Sequence, residues 1–579
     1  MKPTTDWKRA PWLALWASAL LGGAFLPGCL QTSTLDCIGG TTECNVTCVF
    51  LADDPANCGA CGLACQPGAV CIPPDGGTLG VCQCPATQLL CDGKCSNINT
   101  DPNNCGACAS AGGAVCETGQ VCAPQPDGGA ACQTSCGTAV ECNGGCVNLG
   151  TDPSNCGACG NICAQGYSCH PTPQGNTVGT CLPDVVVACI SSSSTVVPVF
   201  DSPVQPVVGP GVVLLNPVPG SLGILGDGLL VATEGPLTEL ILENLALASP
   251  ELPPLASQGP DYVEVDTRSD AGSWVYVVDG VGNTLAVLTG PPAASAQMLL
   301  PDGGVQGLGL LQDGGYIFGP NADPQPYARV GNEIFVPLYG GFPPGNVGTP
   351  GGMPGGGTVV RLDVSNPSVP TFVGSYDLNG VPLQSFDGGP TIPRPNQALF
   401  HNGLVYVVLN NLDANYNAGG PSVLVEIDPL QPPDGGQGGI AQVVTLDAGV
   451  CLDAVSMAEN VGGLLVSCFG QAQFDSSFNT VAVDRSGVLS LDNTDTLLSS
   501  YSPQCPDAGP ACTPPIAGAM ALVNGRVYVG DQSSGRVFVV SVGAQGALTE
   551  LVGYGPDGGV PLQPCPTGLS SVSAILQVP

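Results

Sequence analysis

Between about Val185 and the C-terminus, short runs of β-branched and aromatic residues alternate with clusters of Gly, Pro, Asn and Asp, the pattern of strands separated by turns. Six such runs start at Leu229, Trp274, Ile334, Leu404, Leu464 and Arg526, at intervals of 45 to 70 residues. Second runs follow at 283–288, 358–364, 422–428, 479–484 and 536–542. No helical period links them. A multi-strand unit repeated at this length predicts an all-β fold, a β-propeller of six or seven blades over residues 183–579. Insertions rich in Gly and Pro, such as 340–357, account for the longer intervals. A closed ring must hide its seam, and the apolar runs 185–190 and 574–578 are available to complete one blade from both ends of the region.

Upstream the pattern changes. Residues 37–182 hold 24 of the 31 cysteines, in three sets of eight with nearly matching spacing. The sets run from Cys37 to Cys82, Cys84 to Cys132 and Cys136 to Cys181, and each carries Cys-x3-Cys-x9-Cys-x2-Cys. The phrase Asp-Pro-x-Asn-Cys-Gly-Ala-Cys recurs at Asp54, Asp101 and Asp152. These units resemble the Asn-Cys-Gly-x-Cys-Gly repeats of secreted and surface proteins from certain Gram-negative gliding bacteria. Cys-x2-Cys spacing also suits zinc or a thioredoxin-like redox pair. Zinc would leave most of each set unemployed, and a redox pair needs a βαβ frame that these short, turn-rich segments lack. In an exported chain, disulfides are the expected state. A unit of about 50 residues buries too little apolar surface to fold unaided, so four bridges per repeat, at about 2–4 kcal/mol each, take the place of a core. The expected product is a protease-resistant, disulfide-rich stalk.

Export is written in residues 1–28. Lys2, Lys8 and Arg9 precede an apolar stretch, and Leu26-Pro27-Gly28-Cys29 resembles a bacterial lipobox, which implies cleavage before Cys29 and lipidation of its thiol. An ordinary cleaved signal and an uncleaved anchor are the alternatives, with Cys29 then joining the disulfide set. Cysteine parity bears on the choice. Beyond the repeats lie Cys189, Cys451, Cys468, Cys505, Cys512 and Cys565, so the odd cysteine left over is Cys29. The implied organisation is a lipoprotein signal peptide at 1–28, a lipid-anchored linker at 29–36, repeats at 37–182 and the propeller at 183–579. Leu30, which is not Asp, points by the same resemblance to an outer-membrane lipoprotein, on the cell surface or the periplasmic face. No later stretch is long and apolar enough to span a bilayer as a helix, so the lipid anchor would be the membrane attachment.

The six remaining cysteines suggest pairs. Cys505 and Cys512 flank a short turn-rich segment and suit a local bridge, while Cys451 and Cys468 lie either side of one turn and suit neighbouring strands. Cys189 has two candidate partners: Cys565, in a clasp across the closing blade, or a cysteine of the adjacent repeats. One propeller unit carries a closer resemblance. The stretch 358–367 (Thr-Val-Val-Arg-Leu-Asp-Val-Ser-Asn-Pro), with a returning strand through Phe372 and Tyr376, is similar to the LVIVD-type repeat of bacterial and archaeal surface propellers. The resemblance supports architecture and brings no established reaction; Asn366 and Pro367 suit a turn that Asp363 caps.

Composition narrows the chemistry. Eleven Lys and Arg face 46 Asp and Glu, and a net charge of −35 leaves no basic surface for phosphates, which excludes nucleic acid as a partner. The only histidines are His170 and His401, and neither sits in a nucleophile motif, so zinc-hydrolase and triad mechanisms are hard to assemble. Asp-Gly-Gly triplets, such as those at Asp302, Asp387 and Asp434, offer one ligand each and read as turns capped by Asp. The better calcium candidate is Asp413, Asn415 and Asn417, with oxygen side chains at alternate positions, although Leu424 stands where a calcium loop ends in an acid. No other cofactor is expected. The reading is a lipid-anchored envelope protein presenting a propeller for binding or adhesion, with an envelope protein or polysaccharide as ligand. A hydrolase or lyase using a carboxylate pair in the propeller channel is the alternative from another class, and a purely structural component is the third.

Overall fold

The computed structural model describes most of the chain from residue 84 onward and parts of 42–83. Residues 1–41, 52–56, 73–80, 172–177, 247–259, 291–305, 308–317, 341–356, 475–479, 506–512 and 554–560, with some shorter loop segments, lie outside the described residues, and Cys29, Asn415 and Cys512 fall among them. The chain divides into two compact units, Met1–Gln83 and Cys84–Pro579.

Among the described residues, eleven disulfides join cysteines of the repeats. Numbered within each set, repeats two and three share one connectivity: first to third, second to fifth, fourth to seventh and sixth to eighth. The first repeat shows the last three of these bridges, Cys44–Cys61, Cys58–Cys71 and Cys65–Cys82. The recurring phrase has a folding role. Asp101 accepts the Asn103 amide at 2.9 Å and the Asn104 side chain at 2.8 Å, and Asn104 Oδ1 accepts the Ala109 amide at 3.0 Å. Asp152, Asn155 and Gly160 repeat this arrangement. The glycine after each cysteine takes a left-handed φ, 80° at Gly106, where a Cβ would approach the Ala130 carbonyl oxygen to 2.8 Å. Repeats two and three also share a four-stranded sheet, in which Val121–Pro124 lies beside Gly145–Val147.

Eight sheets follow among the described residues; seven of them are blades, and the eighth is a separate two-stranded hairpin. Blade 2 comprises Pro219–Leu225, Gly228–Thr233 and Thr238–Ile241; blade 3 comprises Pro260–Ser269, Gly272–Asp279, Thr284–Gly290 and Gln306–Gly307. Blade 4 comprises Ala328–Val330, Glu333–Leu338, Thr358–Asp363 and Thr371–Asp377; blade 5 comprises Pro395–His401, Leu404–Leu409, Val423–Ile427 and Ile440–Thr445. Blade 6 comprises Ala454–Asn460, Gly463–Cys468, Gly487–Asp492 and Leu497–Tyr501; blade 7 comprises Ala517–Val523, Arg526–Asp531, Val537–Val542 and Leu548–Val552. Blade 1 draws on both ends: Val185–Ile190 pairs with Thr195–Phe200, which in turn pairs with two short outer strands, and Ser571–Gln577 adds antiparallel to Val185–Ile190 as the innermost strand. The protein is a seven-bladed β-propeller preceded by disulfide-rich repeats.

The core lies between blades. Val405, Val407 and Leu409 face blade 4, while Tyr406 and Val408 face blade 6, so a second strand is buried on both sides. Buried serine hydroxyls stitch the seams: Ser422 accepts the Ala454 amide at 2.9 Å, and Ser486 accepts the Ala517 amide at 2.7 Å. Each satisfies the first donor of the next innermost strand. Cys189 is bridged to Cys565 with Cα atoms 5.5 Å apart, across the closing blade, and Cys451 is bridged to Cys468. Cys505 is disulfide-bonded as well. One run needs correction: 480–484 pairs with Gln471–Phe474 in a separate hairpin, and the third strand of blade 6 is Gly487–Asp492. Asp363 caps its turn by accepting the Ser365 amide at 2.7 Å.

Candidate functional site

In blades 2 to 7 the innermost strand starts where the second strand ends, at one end of the ring, and this end is built from irregular backbone. Register shifts interrupt the pairing there in five blades, between Pro219 and Ser221, Pro260 and Tyr262, Pro395 and Gln397, Ala454 and Ser456, and Ala517 and Met520. Such bulges re-aim side chains and gather near functional sites. Just upstream, Asp323, Arg394 and Asp453 hold left-handed φ angles of 51°, 47° and 53°, a conformation uncommon outside glycine. The chain leaving the second strand fixes each one: the carbonyls of Asp323, Arg394 and Asp453 accept the amides of Tyr339, Asn410 and Phe469 at 2.9, 3.1 and 2.9 Å.

Asp453 and Asn410 meet across the seam of blades 5 and 6, where the Asn410 side-chain amide donates to Asp453 Oδ1. Burial pushes the Asp453 carboxyl up to about 6, and the Asn410 bond offsets part of that rise. Arg394 is buried nearby, its guanidinium 5.1 Å from the Tyr339 ring centre and donating to the Tyr339 carbonyl at 3.3 Å. Asp413 lies at the same end, and both of its oxygens are engaged by Asn417, through the amide at 2.9 Å and the side chain at 3.3 Å. In Asp387-Gly388-Gly389, Asp387 accepts the Gly389 amide at 2.8 Å, the turn that the triplet predicts. This end of the ring thus gathers a carboxyl that burial raises to about 6, a planar amide and a positioned loop. Such a set can hydrogen-bond hydroxyls or exchange a proton.

The opposite end holds a second polar cluster. His401 is buried and engaged at both ring nitrogens, with Glu459 at 3.0 Å and Asn493 at 2.9 Å. Burial pushes the Glu426 carboxyl up to about 8, and the adjacent Asp495 carboxyl adds to the rise.

His170 has a partner that sequence reasoning missed. Ser168 Oγ lies 2.7 Å from His170 Nε2 and 2.8 Å from Asp184 Oδ1, and the same Nε2 is 3.0 Å from Asp184 Oδ1. A catalytic relay needs serine and carboxylate on different ring nitrogens, so this trio is a clasp and lacks the geometry of a nucleophile. It joins the last hairpin of the repeats to blade 1, because Asp184 Oδ2 also accepts the Asp201 amide at 2.7 Å. The available signal was alternation: residues 168 and 170 share a face of one strand.

No family model matches the sequence, and no curated protein matches it. Several solved structures are similar to the chain. A protein named provisionally as a 6-phosphogluconolactonase, from Bacteroides uniformis, matches with a TM-score of 0.37 and 12% identity, over 68% of this chain and 100% of its own. A hypothetical selenium-binding protein from Sulfolobus tokodaii matches with a TM-score of 0.42 and 9% identity, over 68% of this chain and 94% of its own. AztD from Citrobacter koseri matches with a TM-score of 0.35 and 11% identity, over 68% of this chain and 98% of its own. At these levels none of them assigns an activity.

Proposed function

We propose that the protein is a lipid-anchored envelope component whose propeller binds a hydroxyl-rich ligand, an envelope polysaccharide, at the bulged end of the ring. The anchor rests on the lipobox-like segment and on cysteine parity around Cys29. The site rests on one observation: Asp323, Arg394 and Asp453, at matching positions of three consecutive blades, are all held in left-handed backbone. Backbone strain repeated at one end of the ring is a reason to infer function. Asp453 and Asn410 supply the planar polar groups that pair with neighbouring hydroxyls. The net charge of −35 favours a neutral ligand over an acidic one.

A second reading is favoured by Asp453 itself. A carboxyl raised to about 6 is suited to general acid–base work, as a hydrolase or lyase requires. One experiment separates the two. Purified full-length mature protein is titrated with envelope polysaccharide fractions by calorimetry, for the wild type and for Asp453→Asn. Binding without release of shorter products, weakened at least about 10-fold by Asp453→Asn, supports the binding protein. Turnover lost in Asp453→Asn supports the enzyme. Equal binding by both proteins overturns the assignment of this end of the ring.

A further inference from the structure

At the other end of the ring, the seam of blades 5 and 6 encloses an acidic pair that neither reading uses. Glu426 alternates with Leu424 on the third strand of blade 5, so it faces blade 6, directly across the ladder from Tyr406. Asp495 meets it from the turn that joins the third and fourth strands of blade 6. Asp492 builds that turn by accepting the amides of Thr494 and Thr496 at 2.8 and 2.9 Å, which presents Asp495 with a left-handed φ of 58°.

Glu426 is only 5% exposed, and its Oε1, like Asp495 Oδ1, is buried and accepts from no N–H donor among the described residues. Tyr406 makes a separate observation. It is 2% exposed, both carboxylates act on its hydroxyl electrostatically, and that hydroxyl forms no hydrogen bond with any described residue. The nearby His401 is already committed to Glu459 and Asn493. Two carboxylates that face each other without a cationic partner must share a proton or take a counter-charge.

We propose that this seam is a site for a hard divalent cation, calcium in an extracellular setting, held by the carboxylates of Glu426 and Asp495 with the Tyr406 hydroxyl against its water shell. An all-oxygen donor set selects calcium or magnesium over softer metals, and two carboxylates completed by water correspond to affinities of about 0.1–1 mM. The site is distinct from the Asp413 loop, which lies at the bulged end. A bound ion would pin the 492–496 turn to blade 5 and replace the proton that the pair otherwise shares.

The test uses the full mature chain and terbium, which takes calcium sites and luminesces when excited through a nearby tyrosine. Wild type should give saturable, calcium-displaceable emission, and calcium at ten times its Kd should raise Tm by about 1–3 °C at pH 8. Tyr406→Phe should lose most of the emission yet keep the calcium shift; Glu426→Gln should lose both. Asp387→Asn, at an exposed turn, should keep both and so reports non-specific binding to an acidic surface. Lowering the pH to 6 should shrink the calcium shift as protons compete, and the other titratable groups of the cluster, His401, Glu459 and Asp492, remain in Glu426→Gln as an internal control. If Glu426→Gln does not fold, Asp495→Asn takes its place. Equal emission and equal Tm shifts in wild type and the carboxamide variant would overturn the site, as would a wild type indifferent to calcium, which would leave the pair sharing a proton only.

Discussion

The cysteine repeats and the propeller reach ordered structure by opposite means. In repeats two and three the buried apolar groups form two small clusters, one around Val121, Ala123 and Cys146, the other around Cys142, Val147 and Leu149. A single propeller seam is far larger: that between blades 5 and 6 buries Tyr406, Val408, Leu424, Met457, Leu464, Val466, Leu489 and Leu491 together. The repeats replace this packing with four bridges each and with side chains that cap their own turns. The difference teaches where each region is vulnerable. Chemistry at sulfur should undo one, and loss of packing or ring closure the other.

Reduction is the strongest way to break the comparison. Four bridges per repeat, at about 2–4 kcal/mol each, exceed what clusters of this size can supply, so a reductant should unfold residues 84–182 while leaving the blades intact. Limited proteolysis followed by mass spectrometry should show cleavage over 84–182 rising on the order of 100-fold or more, with little change between 219 and 553. Opening of the blades before the repeats would show that the propeller, too, depends on its disulfides.

The same contrast explains what was legible in the sequence. The runs at Leu229, Trp274, Ile334, Leu404, Leu464 and Arg526 are all second strands, buried between two blades and therefore continuously apolar. Apart from the closing run at 574–578, innermost strands are not legible, because one face looks onto the axis: Ala454–Asn460 mixes buried Ala454 and Met457 with half-buried or exposed Ser456 and Glu459. Outermost strands such as Ile440–Thr445 are half-exposed and equally mixed. The run at 480–484 was misplaced since a hairpin outside the ring has the same alternation as a blade strand. In the repeats the spacing was plain, yet spacing alone does not choose among pairings, and Cys189 stayed open between Cys565 and the repeats until three-dimensional proximity joined it to Cys565. The candidate site was the least legible part. Asp453, Asn410, Glu426 and Asp495 lie in no motif, and what sets them apart is backbone strain and burial, neither of which a single sequence displays.

A second experiment sharpens the comparison within the propeller, where most stability comes from packing but the ring still has one covalent closure. The Cys189–Cys565 bridge spans 376 residues, which the chain-entropy model values at up to about 6 kcal/mol; Cys451–Cys468 spans 17, worth about 3 kcal/mol. Replacing Cys189 and Cys565 together by Ala should lower the urea midpoint about twice as far as replacing Cys451 and Cys468 together. Equal shifts would mean that pairing of Ser571–Gln577 with Val185–Ile190 closes the ring without help from sulfur.

The smallest effect separates the regions by the sign of their response to pH. At the junction of repeats and blade 1, burial alone would raise the Asp184 carboxyl, but hydrogen bonds from His170, Ser168 and the Asp201 amide outweigh it and hold the group below the usual carboxylate range. A depressed carboxyl contributes stability that is present above its unfolded value near 4 and is lost as pH falls through the lower folded value. Glu426 behaves in reverse. Raised to about 8, its carboxyl stays protonated in the folded seam and ionises near 4.5 when unfolded, so it favours folding most below about pH 4.5 and progressively less up to about 8. Asp184→Asn should therefore flatten the acid limb of the stability profile, below about pH 4, and leave the profile between 5 and 8 unchanged. In metal-free buffer, Glu426→Gln should do the opposite, removing the decline between about 4.5 and 8 and leaving the acid limb intact. Urea midpoints measured across pH 3–9 for the two variants decide the point, since parallel profiles would mean that neither carboxyl is coupled to folding in the way its surroundings imply.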